Sequence, residues 1–442
     1  MSAAVSTHQA GDSEAPDGTP LNTSYERQSA SLQYRTKVDD LDALLLPSRT
    51  ENIGKSNSRY PVRDTTYPED SHTLGRLRLR HASGFEATVH AHEQYLGTYN
   101  QRPGTPDSFA AVSSTDFGGT AQQTFASGNF TSNIGVEFLG RRNVNGYDAR
   151  GSLLDRVYSL RDGEENSTSL FAVTDWRATQ ELGFEFGARA TSIRQHEAGA
   201  STSNNDQAFT GGVTWTANDW SRWTLNLASG YRFPTLEERF FTGVTAQGDI
   251  VGNADLDSEH SEGIDLGYAL NAGNWGGEIH VWRTRVKDLI QLVDISPDVN
   301  GYTNVGEAKL HGAEAAIGWS PTAELNLRSS FTVIRGSDNT GQTLYGIPPV
   351  SADLEARYRL PKLELSARYS HRWKVDRPGF EELPRDAVDI VDADARYHFT
   401  PALNMQVYVR NLLDKQYFAT SDELSTYAPE RSIGINLNWT LH

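Results

Sequence analysis

The sequence predicts an all-β protein, a transmembrane antiparallel β-barrel of which about eighteen strands are present. Apolar and polar residues alternate along most of the chain, which is the period of a β-strand with two different faces. Short turns alternate with long polar connections, as expected for hairpins that run between a turn rim and a loop rim. The polar side of the predicted strands is rich in charge, and this suits a water-filled interior.

The alternation by itself leaves two folds open. Residues 182–191 alternate Leu, Phe and Ala with Gly, Glu, Arg and Thr, and residues 433–441 alternate Ile, Leu and Trp with Gly, Asn and Thr. A soluble protein packs the apolar side of such a strand on a core, whereas a membrane barrel exposes it to lipid. The connections and the charges must therefore decide between the two.

Eight short turns, with one further strand at each end, give the count of about eighteen strands. Most of the turns contain Gly, Pro, Asn, Asp or Ser, the usual turn residues. They lie at 83–84, 127–128, 179–180, 218–219, 272–273, 321–322, 361–362 and 400–401. The long polar stretches between them cover about 38–71, 99–113, 141–166, 195–206, 232–258, 287–303, 336–347, 374–386 and 415–428.

The hairpin around residues 361–362 shows how charged the polar side is. If its strands pair symmetrically about the turn, Arg359 faces Glu364 and Glu355 faces Arg368. Opposite charges that face each other across a ladder are mildly stabilising. A side with this density of charge cannot be the core of a soluble sandwich, and no second class of segment supplies an apolar partner sheet. A closed barrel with a polar lumen accounts for both observations.

Composition excludes several classes of function. The net charge of −17 argues against a nucleic-acid partner, whose phosphates need a basic surface. The absence of cysteine excludes disulfides and thiolate metal sites. No G-x-S-x-G, H-E-x-x-H or glycine-rich phosphate loop is found, so we predict that the chain is not an enzyme. We therefore assign no catalytic residue, cofactor or metal site.

The start of the chain differs in character from the rest. The opening residues, MSAAVSTHQAGDSEAPDG, contain no basic segment followed by an apolar one, so they are not a secretory signal. Residues 1–21 are predicted to be a disordered or truncated N-terminal segment, and residues 22–442 to form the barrel.

Three segments in the second half of the chain carry a family resemblance. YRFPTLEERFFTG (231–243), followed by GNADLDSEHSEGIDLGY (252–268), resembles the F-R-A-P … N-P-x-L-x-P-E region of TonB-dependent outer-membrane receptors. NVGEAKLHGAEAAIGWSP (304–321) is similar to the N-x-G-x-A-x-x-x-G-x-E strand pair of that family. RNLLDKQYF (410–418) and the APERSIGINLNWTL that follows it resemble the family's closing strands.

The resemblance implies a barrel of about 22 strands that encloses a globular plug. It also implies a scarce nutrient complex, usually a ferric siderophore, bound at the outer loops, and an inner-membrane energy complex that drives its release. Signal peptide, coupling box, plug and about four strands are not found in the sequence, so we expect an N-terminal truncation. Coupling to the energy complex is expected only if a plug is supplied.

Tyr231, Arg232 and Phe233 are the predicted ligand-binding residues. An aromatic–Arg–aromatic run at the start of a long loop can stack on a ligand or hold an anionic chelate. It can equally belong to an aromatic girdle with a snorkelling arginine, and this structural alternative stays open.

Two other sets of residues could bind a metal ion or other cation, and for both of them a structural role is preferred. His90 and His92 point to one side of a strand with Gln94, but no third metal ligand is identifiable, so a polar lumen lining is the preferred interpretation. A cluster of acidic residues, Asp255, Asp257 and Glu259, is interpreted as cap and rim residues.

The predicted function is an outer-membrane receptor of a Gram-negative bacterium for energy-coupled uptake of an iron chelate or similar small molecule, in contact with outer-membrane lipid. The alternatives are a passive diffusion porin and an inactive receptor remnant. Heme uptake is disfavoured, because heme receptors of the family carry a His within the 235–252 region and this chain has none there.

Overall fold

The computed structural model describes residues 1–39, 41–55, 64–101, 104, 106–151, 155–245, 248–297, 299–423 and 425–440. The strands are β1 (Ser2–Ala10), β2 (Ser13–Glu14), β3 (Pro20–Leu21), β4 (Tyr25–Val38), β5 (Leu41–Lys55), β6 (Asp64–His81), β7 (Phe85–Gln101), β8 (Ser108–Ser127), β9 (Phe130–Arg150), β10 (Arg156–Arg177), β11 (Leu182–Glu197), β12 (Ala200–Asn218), β13 (Ser221–Arg232), β14 (Thr242–Thr245), β15 (Gly248–Val251), β16 (Glu259–Ala272), β17 (Trp275–Lys287), β18 (Ile290–Ser296), β19 (Val299–Asn304), β20 (Glu307–Trp319), β21 (Leu325–Asp338), β22 (Ser351–Arg359), β23 (Leu363–Arg372), β24 (Val388–Thr400), β25 (Leu403–Arg410) and β26 (Ser432–Trp439), and one short helix, α1, covers Leu236–Phe240.

Among the described residues, twenty of these strands form one antiparallel sheet. Ladders join β1 to β4, then each successive strand through β13, then β16, β17, β20 and the strands up to β26. At the loop rim the amide of Glu430 donates to Glu14 O at 2.8 Å, and Gln416 donates to Asp17 at 2.7 Å. The sheet therefore curls until its first and last hairpins meet.

The antiparallel all-β fold is confirmed, and the strand count differs from the prediction in two places. Residues 1–21, expected to lie outside the barrel, contain β1, which pairs with β4 along its whole length. The stretch 38–71, expected to be a loop, contains β5, which follows a turn at Asp39. Asp39 adopts the left-handed region, with φ of 51°, without the Gly or Pro that marks most turns.

Several other predicted loops are also shorter than expected, because the strands continue into them. Residues 141–150 and 156–166 extend β9 and β10, and residues 195–206 form the tip of the β11–β12 hairpin. Where both faces of a ribbon are wet, the apolar–polar alternation is lost although the ladder continues. Hydropathy alone therefore cannot detect these extensions.

The two faces of the sheet differ as the alternation predicts. We call the face that carries α1 the inner face. The opposite, outer face exposes large apolar side chains, among them Val89, Leu225, Leu266, Ile279 and Ile317. Close to the short turns, outer aromatic rings pair across strands: Trp223 with Tyr268 at 4.5 Å between centroids, and Trp275 with Trp319 at 5.1 Å. Such a ring of aromatics is typical of a membrane–water boundary.

The predicted charge pairing on the inner face is found in the hairpin of β22 and β23. Arg359 lies opposite Glu364, with their side chains 2.9 Å apart. Glu355 lies opposite Arg368 in the ladder, but the Arg368 guanidinium binds Asp353 at 2.7 Å instead. Sequence symmetry about the turn thus predicts the register correctly and the ionic partner only in part.

Two small sheets lie at the loop rim. Strands β14, β15, β19 and β18 form one of them, and β2 pairs with β3 in the other. Across the described part of the chain, no helix has the length and apolarity needed to traverse a bilayer.

Candidate functional site

The segment that follows β13 folds back onto the inner face of the sheet. Thr235 caps the start of its turn of helix, α1, and the Thr235 hydroxyl accepts from the Glu238 amide at 3.1 Å. The Glu238 carboxylate in return accepts from the Thr235 amide at 2.7 Å. This capping box satisfies two backbone donors that would otherwise lack a partner at the start of the helix. The local sequence therefore favours a helix at this point.

An apolar contact holds α1 against the sheet. Leu236 is completely buried and packs with Val144 of β9 and Leu160 of β10. Gly163 makes room for it, since a Cβ at Gly163 would lie 2.5 Å from a Leu236 methyl carbon. Phe240 packs against the same cluster. The helix is thus anchored by one side chain that enters the wall of the sheet.

Polar contacts on both sides of this anchor join α1 to a row of inner residues. His92, Asp116, Arg141, Glu165 and Gln195 lie directly opposite one another on β7, β8, β9, β10 and β11; we call them the inner row. Arg141 binds Glu237 of α1 at 3.0 Å and Asp116 at 3.5 Å.

The far end of the inner row also contacts the segment before the helix. Gln195 is almost fully buried and donates to Glu165 at 2.7 Å and to the Pro234 carbonyl at 2.8 Å. Polar contacts from the inner row therefore hold the 233–240 segment at Pro234 and at Glu237.

The three predicted ligand-binding residues separate into two groups. Tyr231 donates to Thr191 on the inner face, and its ring lies 5.0 Å from that of Phe233. Arg232 is held by Glu259, with contacts of 2.6 and 2.8 Å, and by Glu238, also at 2.8 Å. The arginine thus ties α1 to β16, while the two aromatic rings remain beside the inner wall.

Tyr231 and Phe233 line a pocket of about 320 Å³ between the folded-back segment and the wall. Arg141 and Arg189 supply its cationic groups. Arg189 also contacts Glu137 and donates to Ser169 at 2.7 Å. Two aromatic rings beside two guanidinium groups can accept a flat, anionic group, by stacking and by charge-assisted hydrogen bonds. The arginines were not among the predicted ligand-binding residues, because strand alternation gives no distances between separate hairpins.

The end of the loop is fixed by backbone contacts. Asn253 donates from its amide to Glu238 O at 2.9 Å and from its side chain to Tyr302 O at 3.1 Å. Gly252 passes so close to α1 that a Cβ there would lie 2.7 Å from the backbone of Arg239. Arg239 is buried and binds Asn204 at 2.8 Å, and this burial lowers the pKa of its guanidinium.

The acidic cluster makes contacts through the carboxylate of Glu259 and the backbone amides of Asp255 and Asp257. Glu259 is occupied by Arg232, the Asp255 amide donates to Asn253, and the Asp257 amide donates to Asn304 at 3.0 Å. Among the described residues, no group of three or more His, Asp or Glu side chains converges as a metal site. The interpretation of Asp255 and Asp257 as cap and rim groups stays a prediction, because these two contacts are made by backbone amides.

The histidine singled out with His90 has a different neighbour. Nε2 of His92 lies 3.1 Å from Nδ1 of His72 on β6, and Nε2 of His72 contacts Asp70 at 3.0 Å. His92 also contacts Asp116 at 3.5 Å. His72 therefore contacts the end of the inner row through His92, and the spacing of His90 and His92 could not indicate this contact.

Comparison with known proteins identifies the fold and its relatives. The family model described as "TonB dependent receptor-like, beta-barrel" matches residues 7–412. The heme/hemopexin utilization protein C of Haemophilus influenzae is 25% identical over 243 residues, which cover 46% of this chain and 33% of that protein. A probable TonB-dependent siderophore receptor, PiuA of Acinetobacter baumannii, is 28% identical over 171 residues, 34% of this chain and 23% of the relative.

Among solved structures, the copper transporter OprC superposes with a TM-score of 0.88 at 15% sequence identity. The match covers 99% of this chain and 75% of that one, and at this identity it shows the fold alone. In sequence, the matches span a third or less of the two curated relatives.

Proposed function

The chain belongs to the TonB-dependent receptors, and we propose that it forms the barrel of an outer-membrane receptor for the energy-coupled uptake of a scarce nutrient complex, a ferric siderophore. The family consists of outer-membrane proteins, which supports this location. Coupling to an inner-membrane energy complex is part of the proposal only for a protein that also contains the family's plug.

The pocket beside α1 is the observation that carries the proposal. Its aromatic rings, Tyr231 and Phe233, and its guanidinium groups, Arg141 and Arg189, are suited to an anionic chelate with flat aromatic arms. Arg232, which looks in the sequence like the obvious anion ligand, is bound by Glu238 and Glu259 and does not line this pocket. Arg141 and Arg189 line it, although each of them also contacts a carboxylate. We therefore place the ligand against the inner-wall arginines.

The test is a titration of the full chain, folded in detergent, with a ferric tris-catecholate chelate. Binding is measured as quenching of tryptophan fluorescence. We expect saturable binding that weakens about tenfold in Tyr231→Ala/Phe233→Ala, since each aromatic contact contributes roughly 0.5–1.5 kcal/mol. Tyr358→Ala, which removes an exposed ring from the outer face, serves as the matched control and should bind normally. Unchanged binding by the double variant would contradict the location of the site.

Heme is the second candidate ligand, and the relative from Haemophilus influenzae is the observation that favours it. His260 follows the 231–258 segment, but its ring contacts Asp206 at 2.7 Å and is thus already engaged. Titration of the same protein with hemin distinguishes the two ligands. Tighter binding of hemin than of the ferric tris-catecholate chelate would replace the siderophore proposal.

The porin alternative makes a separate prediction. A passive pore conducts ions steadily in a planar bilayer in the absence of any ligand and binds no chelate saturably. We expect the opposite, because the folded-back segment occupies the inner face and forms a pocket there.

A further inference from the structure

A group of basic side chains lies on the outer face just above the apolar band. On β17 the outer positions run from Trp275 through Ile279 and Val281 to Arg283 and Arg285. The change from apolar to basic occurs within one step of the alternation, about 7 Å along the strand.

The neighbouring strands make the same change at the same level. Arg283 lies opposite His311 of β20, which in turn lies opposite Arg335 of β21. One step nearer the loops, Arg285 lies opposite Lys309. All five side chains are exposed. We call them the outer basic patch: Arg283, Arg285, Lys309, His311 and Arg335.

Acidic neighbours neutralise only the upper part of this patch. Glu307 contacts both Arg285 and Lys309, the latter at 3.3 Å. Within the described part of the chain, no acidic side chain lies within ion-pair distance of Arg283, His311 or Arg335; Arg335 donates only to the neighbouring carbonyl of Ile334. These three basic side chains thus have no acidic partner among the described residues, although the net charge of the protein is −17.

The position of this row determines the partner that it fits. Adjacent strands are about 4.8 Å apart, so the three groups span roughly 10 Å along the surface. They point away from the lumen, beside the side chains that face hydrocarbon, at the loop rim of the wall. Phosphate groups of lipids lie at this depth of a bilayer, and arginine binds phosphate through paired hydrogen bonds.

We propose that the outer basic patch binds the phosphorylated headgroup of lipopolysaccharide in the outer leaflet. This inference rests on the outer-membrane location in the proposed function, but not on the identity of the nutrient. Arg283 and Arg335 hold the phosphates from the two sides of His311, and the apolar row of Val281 and Val333 below them contacts the acyl chains.

The test measures binding of lipopolysaccharide to the full chain in a zwitterionic detergent. We expect saturable binding that weakens about 30-fold in Arg283→Gln/Arg335→Gln, the fold-change for two cations that contribute about 1 kcal/mol each. The binding should also weaken as salt is raised. Inorganic phosphate at the same phosphate concentration should neither bind measurably nor compete.

Arg142→Gln/Arg194→Gln is the matched control, because it removes the same charge from outer-face positions of β9 and β11. Arg142 already binds Glu164 there, at 2.5 Å. This control should bind lipopolysaccharide as the unaltered protein does. Equal weakening in both double variants, unchanged binding in Arg283→Gln/Arg335→Gln, or full competition by inorganic phosphate would each overturn the proposal. Iron-chelate binding, measured on the same samples, reports separately on the proposed function.

Discussion

At the scale of single residues, the motif Tyr231-Arg232-Phe233 shows what a sequence pattern can and cannot specify. Tyr231 and Phe233 contribute rings to one pocket, whereas Arg232 is bound by two carboxylates. Those carboxylates come from Glu238 and Glu259, the second of them 27 residues further along the chain. The pattern predicts two aromatic rings beside each other at the start of the loop, and the structure has them 5.0 Å apart; their role in ligand binding stays a prediction. The ion pairs of Arg232 with these two carboxylates could not be predicted, because they depend on how α1 folds back.

Leu236 gives a residue-scale prediction about this folded-back segment. Leu236→Ala should reduce the stability of its docking by about 2–5 kcal/mol, the usual cost of truncating a buried leucine. The readout is hydrogen exchange of the Arg239 and Phe241 amides, which donate to Thr235 O and Glu237 O within the helix. Their exchange should accelerate, while Leu266→Ala, on the outer face, leaves it unchanged. Equal exchange in both variants would show that Leu236 does not anchor the segment.

At the scale of elements, hairpins were predictable where one face is apolar and unpredictable where both faces are wet. The turn at 361–362 and its register follow from the sequence, because opposite charges and alternating Leu and Ala agree on one pairing. The β11–β12 tip, with Ser201–Asp206 on one strand, carries no such signal, so the sequence predicts a loop there although the structure has a paired hairpin. The same limit applies to the loops themselves, whose contacts join segments that are far apart in sequence.

The loops that follow β21, β23 and β25 form one such unit. Glu382 accepts from the Gly379 amide at 2.7 Å and from Ser421 at 2.7 Å, and Arg385 lies 4.0 Å above the Phe418 ring. Tyr345 donates to Asp422 at 2.7 Å, and this bond raises the pKa of the phenol to about 12. These contacts link the three loops to each other.

Glu381 makes the stability of this loop unit depend on pH. Burial, followed by the charges of Glu423 and Asp422, raises the pKa of Glu381 above its ordinary value. The folded loops therefore bind this proton more tightly than the unfolded chain. The contribution of Glu381 is present at low pH and is lost as pH rises from about 4 through the raised pKa.

Glu381→Gln should remove this part of the pH dependence. As the pH is raised from about 4 to neutrality, we expect hydrogen exchange in residues 375–385 to speed up less than it does in the unaltered protein. Peptides from the turn rim provide an internal control for the intrinsic effect of pH on exchange. An unchanged difference between the two proteins would mean that other carboxyl groups control the loops.

At the scale of the whole molecule, we expect the apolar face to point outward into lipid. Neighbouring residues of β13 separate the two faces: Leu225 lies on the outer face, whereas Asn226 donates to Asp265 on the inner face. Leu225→Arg should therefore cost about 2–4 kcal/mol of folding free energy in lipid vesicles, the cost of a cation near the middle of the apolar band of a membrane barrel. Asn226→Arg adds the same side chain one residue along and places it opposite Asp265, so it should fold with nearly unchanged stability.

The measurement is reversible urea unfolding of both variants in vesicles of one lipid composition. If the Asn226 variant is the one that loses stability, the faces have been assigned in the wrong sense. Equal losses in the two variants would mean that neither face is in contact with water.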